Sequence, residues 1–180
     1  MRILKEDTVA IIIDIQEKLF PHIYQHNEIA KNTQILIEGL KVLEIPLIVT
    51  QQYTKGLGST IEPINLAIGK YEHIEKMAFS CCDDPCFMNE LKKLNKKIVI
   101  VVGIEAHVCV LQTTIDLIEK NFIPAVIEDC ISSRTPENKK TAVKRMRQEG
   151  AIISSYESIL FELCRLSGTD SFKAISKLVK

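Results

Sequence analysis

Short apolar runs alternate with amphipathic stretches from one end of the chain to the other. The apolar runs at 9–15, 46–52, 73–77, 97–104, 124–130 and 151–155 predict strands. Most are apolar on both faces, as in VAIIIDI and KIVIVVGI, which suits strands covered by helices on each side. Between them, spacings of three and four predict helices at 27–43, 85–94, 107–120 and 136–148, with 157–166 and 171–178 closing the chain. Asn121, Gly150 and Pro46 punctuate helix ends, and Thr135 before Pro136 reads as an N-cap with proline at the first helical position. This order predicts an α/β protein: a three-layer α/β/α, Rossmann-like fold around a six-stranded, mainly parallel sheet, with residues 1–180 as one domain. No repeat, low-complexity tract or linker divides it.

One segment resists the alternation. Residues 53–70, YTKGLGSTIEPINLAIGK, hold three of the seven glycines and one proline. They predict a long loop with a short helix at 61–66, and loops of that length in compact domains usually carry function.

Composition narrows the partners. A chain of 180 residues can bury roughly 70% of its unfolded surface and needs no staples. Its 23 Lys and Arg balance 23 Asp and Glu, so no net field draws it to nucleic acid or an anionic membrane, and a small-molecule substrate fits better. The start, MRILKEDTVAIII, lacks a signal-peptide pattern, and no apolar run approaches the roughly 20 residues that span a bilayer, so a cytoplasmic location is expected. The cysteines at 81, 82, 86, 109, 130 and 164 then read as free thiols. CCDDPC at 81–86, even with His73 and His107, matches no common zinc spacing.

In an open parallel sheet, ligands bind beyond the carboxyl ends of the strands. The polar residues there are Asp14 and Gln16 after the first strand, Gln52 ending the second, Lys76 on the third, and Cys109 after GIEAHVC on the fourth. Taken singly, each has a plain structural reading: Asp14 a turn cap, Gln52 a loop tie, Lys76 an edge residue and Cys109 core filling. Together, a carboxylate, an ammonium and a thiol on three strand ends make a catalytic trio. Cys109 is placed in the first turn of a helix, where the helix N-terminus favours a thiolate. Asp14 would accept its proton, Lys76 would hold Asp14 in position, and N–H groups of the turn from Gly103 to Cys109 would bind an oxyanion. His107, at an exposed helix start, reads as facing solvent or a subunit contact.

These residues resemble the isochorismatase-like cysteine hydrolases over nearly the whole chain. The anchors are the Asp in AIIIDIQEKLF, the Lys in EKMAFSCC and the Cys in VVGIEAHVCVLQT. The resemblance implies a triad of Asp14, Lys76 and Cys109, and a cis peptide before Glu105 that aims the Glu105 and Cys109 N–H groups at the oxyanion. Gln16 and Gln52, polar at the same strand ends, are expected at the substrate, and the resemblance implies association into a homo-oligomer. The closer likeness is to a subgroup with a QYxKGLG loop and a Ser-Ser-Arg after the fifth strand, here Gln52, Tyr53, Lys55 to Gly58 and Ser132 to Arg134. TQQYTKGLG stands where metal-binding nicotinamidases carry an Asp-Trp-His type motif, so no catalytic metal and no cofactor are expected. Ala106 stands where many members have Thr. The implied chemistry is hydrolysis of a small amide or related carbonyl compound through a Cys109 thioester. The alternatives are vinyl-ether hydrolysis, which needs an acid and no thiol, and an inactive hydrolase fold used for association.

Overall fold

The computed structural model describes all 180 residues. Six strands form one sheet: β1 (Thr8–Ile13), β2 (Leu47–Gln52), β3 (Ile74–Lys76), β4 (Ile98–Ile104), β5 (Ile123–Ser132) and β6 (Ile152–Ser154). Their order is β3-β2-β1-β4-β5-β6, and every neighbouring pair is parallel. The helices are α1 (His26–Val42), α2 (Thr54–Leu57), α3 (Glu62–Ile68), α4 (Pro85–Lys93), α5 (Leu111–Glu119), α6 (Pro136–Glu149), α7 (Tyr156–Cys164) and α8 (Asp170–Leu178).

The central strands explain why the sheet lies between two helical layers. All six residues of β1 are buried, and they alternate sides. Ala10 and Ile12 join a cluster with Leu36 and Leu40 of α1, Ile64 of α3, Leu160 of α7 and Ile175 of α8. Val9, Ile11 and Ile13 face a second cluster with Phe87 of α4, Leu117 of α5 and Met146 of α6. Burying each such aliphatic or aromatic side chain contributes about 1.5–3 kcal/mol before the cost of ordering it.

Gly103 sits where β4 passes closest to β1. Its φ is +130°, and a Cβ there would lie 2.1 Å from the Ile13 carbonyl oxygen. Only glycine permits both the dihedral and the approach.

Four details differ from the sequence expectations. The first strand ends at Ile13, because Asp14 takes a left-handed φ of +52° and turns the chain. The fifth strand continues to Ser132, past a bulge opposite Val101 to Gly103, so it carries Ser132 to the carboxyl edge. Residues 53–70 hold two helices, α2 and α3, separated by Gly58 at φ +80°; a four-residue helix containing Gly56 has too little intrinsic propensity to be read from sequence. The expected helix at 107–120 is a π-helical turn, Ala106–Val110, followed by α5. The Thr135 cap forms as the sequence suggests, its hydroxyl accepting the Asn138 N–H at 3.2 Å.

Candidate active site

The chain leaves β1 and β4 toward opposite faces, α1 joining the first apolar cluster and α5 the second, which opens a crevice beyond their carboxyl ends. Asp14 stands in it, one residue past β1. Its Oδ1 accepts the Thr50 hydroxyl at 2.8 Å and its Oδ2 accepts the Lys76 ammonium at 2.6 Å. The remaining Lys76 protons go to the carbonyls of Ala78 at 3.1 Å and Phe79 at 3.2 Å, so all three donors are used. Both charged side chains are fully buried. Burial works against the Lys76 charge, but the Asp14 carboxylate, through its charge and its hydrogen bond, outweighs it and raises the ammonium pKa above its ordinary value.

Cys109 lies within the π-helical turn and is buried. Its Sγ donates to Gln52 Oε1 at 3.3 Å. Burial pushes the thiol pKa well up, the Asp14 carboxylate pushes it further, and Lys76 pulls part of the way back. This corrects the expectation of a thiol activated at rest by a helix N-terminus: desolvation and a neighbouring anion outweigh the dipole, and the resting group is S–H. Cys81, whose Sγ donates to Thr50 Oγ1 at 3.9 Å, is likewise pushed up to about 12 by burial.

The turn that carries Cys109 begins at Glu105, and the Ile104–Glu105 peptide is cis. The Glu105 N–H has no acceptor within the chain, although the residue is buried. Its carboxylate is gripped by Arg134, Nε to Oε1 at 2.9 Å and Nη2 to Oε2 at 3.3 Å. His107, expected to face solvent or a subunit contact, is half-buried. Its Nδ1 meets Ser133 Oγ at 2.9 Å, which the longer β5 brings within reach.

Gln52 is half-buried and turned toward Cys109, its Nε2 donating to Met77 O at 3.4 Å. Gln16 behaves differently from the expectation. It is fully buried; its Nε2 donates to the carbonyls of Gln52 at 3.0 Å and Gly58 at 2.7 Å, and its Oε1 accepts the Gln52 N–H at 2.7 Å. With every polar atom spent on backbone, Gln16 ties the loop that presents Gln52 and has none left for a substrate. Thr50 and the Glu105–Arg134 ion pair carry no signal of their roles in the sequence, and Ser133 and Arg134 stand out there only through the resemblance.

The two most voluminous surface concavities, of about 470 and 520 Å³, lie elsewhere. One runs from Pro46 to Leu94 along β2, β3 and α4, the other beside Asp129, Arg147 and Ser154, and neither contains Asp14, Lys76 or Cys109. Asp14, Lys76 and Cys109 are all buried beneath the carboxyl edge of the sheet. No three His, Cys, Asp or Glu side chains gather in a way that could hold a metal ion. No helix is long and apolar enough to cross a membrane.

The parallel sheet, its two helical layers and the crevice between diverging strands define a three-layer α/β protein with a hydrolase-type fold. The family model for the isochorismatase domain matches residues 8–158, and the chain belongs to the isochorismatase family. Isochorismatase family protein 1B of Dictyostelium discoideum is 35% identical over 99% of this chain and 89% of its own. The structure described as MAR1 ribonuclease from Caenorhabditis elegans is 38% identical, covers 99% of this chain and 92% of its own, and superposes with a TM-score of 0.93. YcaC of Escherichia coli, described as an octameric hydrolase of unknown specificity, shares the fold at 22% identity, covering 99% of this chain and 90% of its own, with a TM-score of 0.93.

Proposed function

We propose that the chain is a cysteine-dependent hydrolase of a small amide or related carbonyl compound, with Cys109 as nucleophile, Asp14 as proton acceptor and Lys76 as the residue that holds Asp14. The observation that carries the reading is the Lys76–Asp14 ion pair, 2.6 Å long and fully buried, acting on a buried thiol. A charged pair in that environment costs several kcal/mol per ion in desolvation, so it is weak as a source of stability and suits a proton-transfer site.

In the reaction, Asp14 takes the Cys109 proton as Sγ attacks the substrate carbonyl carbon. The carbonyl π electrons move to oxygen, and the oxyanion accepts the N–H groups of Glu105 and Cys109. The C–N bond then breaks, and the departing nitrogen takes the proton from Asp14, leaving a thioester. Asp14 next accepts a proton from water as the water oxygen attacks the thioester. The C–S bond breaks, the acid departs, and the proton returns to Cys109. Gln52, beside Sγ, is the side chain of this reading that meets the substrate.

A hydrolysis screen over primary amides, ureido acids and isochorismate, run with the parent chain and Cys109→Ala, tests this. The expected result is release of ammonia or an amine from one of the amide classes, reduced about 10⁴-fold or more in Cys109→Ala. Turnover of isochorismate that survives Cys109→Ala would transfer the site to vinyl-ether hydrolysis. Self-association belongs to the same reading, since the Escherichia coli relative is described as octameric and Leu66, Met77, Phe79 and Leu166 leave apolar surface exposed. Sedimentation velocity tests it, and a monomer at micromolar concentration would remove it.

A further inference from the structure

The end of β5 is joined to the Cys109 turn at two adjacent residues. Ser133 Oγ accepts the His107 backbone N–H at 3.3 Å and contacts His107 Nδ1 at 2.9 Å. Arg134 takes both carboxylate oxygens of Glu105, at 2.9 and 3.3 Å. The same segment is anchored from behind. The Tyr24 N–H donates to Ser133 O at 2.9 Å, and Ser132 Oγ donates to Tyr24 O at 2.8 Å. Ser132 and Ser133 are fully buried, so this anchor is rigid, while the Arg134 side chain is 63% exposed. An ion pair with one partner so exposed adds little to stability. A two-point fork nevertheless fixes the orientation of what it grips.

What it grips is Glu105, a buried residue whose backbone N–H has no acceptor within the chain. We infer that Arg134, braced by Ser133, is a positioning residue: through the Glu105 carboxylate it fixes the backbone N–H that receives the substrate's carbonyl oxygen. This inference rests on the proposed reading of the turn as an oxyanion site. It differs from that reading in assigning the aim of the donor to a side chain just past the end of β5. An oxyanion donor works only while it points at the oxygen, so freeing the Glu105 side chain lowers carbonyl activation without altering the thiol.

Two thiol reagents separate these effects. Acrylamide reacts by addition: Sγ bonds to the terminal carbon, the carbon–carbon π electrons move toward the carbonyl oxygen, and the resulting enolate takes a proton at carbon. Methyl methanethiosulfonate has no carbonyl; Sγ displaces methanesulfinate from sulfur and forms a methyl disulfide. Both adducts are followed on Cys109 by peptide mass spectrometry in the parent chain, Arg134→Gln, Arg134→Lys and Glu105→Gln, with thermal unfolding as the check on folding.

The expected result is acrylamide labelling slowed about tenfold in Arg134→Gln and in Glu105→Gln, less than the loss of a whole donor because the N–H is displaced and not removed. Methyl methanethiosulfonate labelling stays within about twofold of the parent, since the thiol and Asp14 are untouched. Arg134→Lys keeps the charge without the fork and falls between the two. If both reagents slow together, or neither slows, Arg134 does not act on the carbonyl donor and the inference is overturned. If neither reagent labels Cys109 in the parent chain, the nucleophile assignment itself fails, a different result from a normal parent with insensitive variants.

Discussion

At the scale of the residue, one carboxylate serves two partners with opposite demands. Asp14 stabilises the charge on Lys76 and resists ionisation of Cys109. The resting site therefore keeps its proton on sulfur until a bound carbonyl makes transfer favourable, so thiolate chemistry without a substrate should be slow at neutral pH. Alkylation of Cys109 by iodoacetamide should keep rising with pH past the range where an ordinary cysteine, with pKa about 8.5, levels off. A plateau near pH 8 would contradict the pKa direction. The ion pair makes a second prediction. Lys76→Met leaves Asp14 buried without its ammonium and should cost about 3–5 kcal/mol in urea unfolding, and the double variant with Asp14→Asn should cost less than the sum of the single changes. Strict additivity would mean that the two groups do not interact.

The trio was legible in the sequence because strand-end positions in a parallel sheet follow from where apolar runs stop, and Asp14 and Lys76 stand near such stops while Cys109 stands in the turn that follows one. The sign of the thiol shift was not legible. It depends on how deeply the π-helical turn sinks Cys109 beside Asp14, which no spacing encodes. Gln16 failed for a related reason: alternation placed it on the side of Asp14, but whether its amide faced a substrate or the backbone of Gln52 and Gly58 depended on the fold of residues 53–70.

At the scale of the element, the site depends on how closely β4 passes β1. Gly103 allows Ile13 and the start of the Cys109 turn to approach, so Gly103→Ala meets the Ile13 carbonyl at once. A destabilisation of about 3 kcal/mol is expected, read as a lower urea midpoint, since both the dihedral and the contact are refused. A change below about 0.5 kcal/mol would mean that the two strands separate freely. The bulge in β5 had no sequence marker, because residues 127–131 contain neither glycine nor proline, yet it carries the strand to Ser132, next to the Ser133 that holds His107. The six strands and their order of appearance were readable. The spatial order and the wholly parallel pairing came from the structure.

At the scale of the molecule, several buried ionisable groups share one direction. Cys81 and Cys82 are pushed by burial to about 12, and Cys109 and Lys76 are raised as well. Each binds its proton more tightly folded than unfolded, so each stabilises fully below its unfolded pKa and loses that contribution as pH climbs toward the folded value. Between about pH 9 and 12, each buried thiol should remove about 1.4 kcal/mol per pH unit. Urea midpoints should therefore fall steeply across that window, and less steeply in Cys82→Ala measured against its own value at pH 8. A flat profile would show that these thiols ionise without cost and are not buried as described.

The central claim is that Cys109 carries the acyl group. Rapid-quench intact-mass spectrometry on the parent chain, with the amide that the hydrolysis screen selects, measures this most directly. One acyl adduct per chain, mapped to Cys109, formed before steady-state turnover and absent from Cys109→Ala, is the result expected here. Undiminished turnover of the same amide by Cys109→Ala, with no adduct on the parent chain, would contradict it.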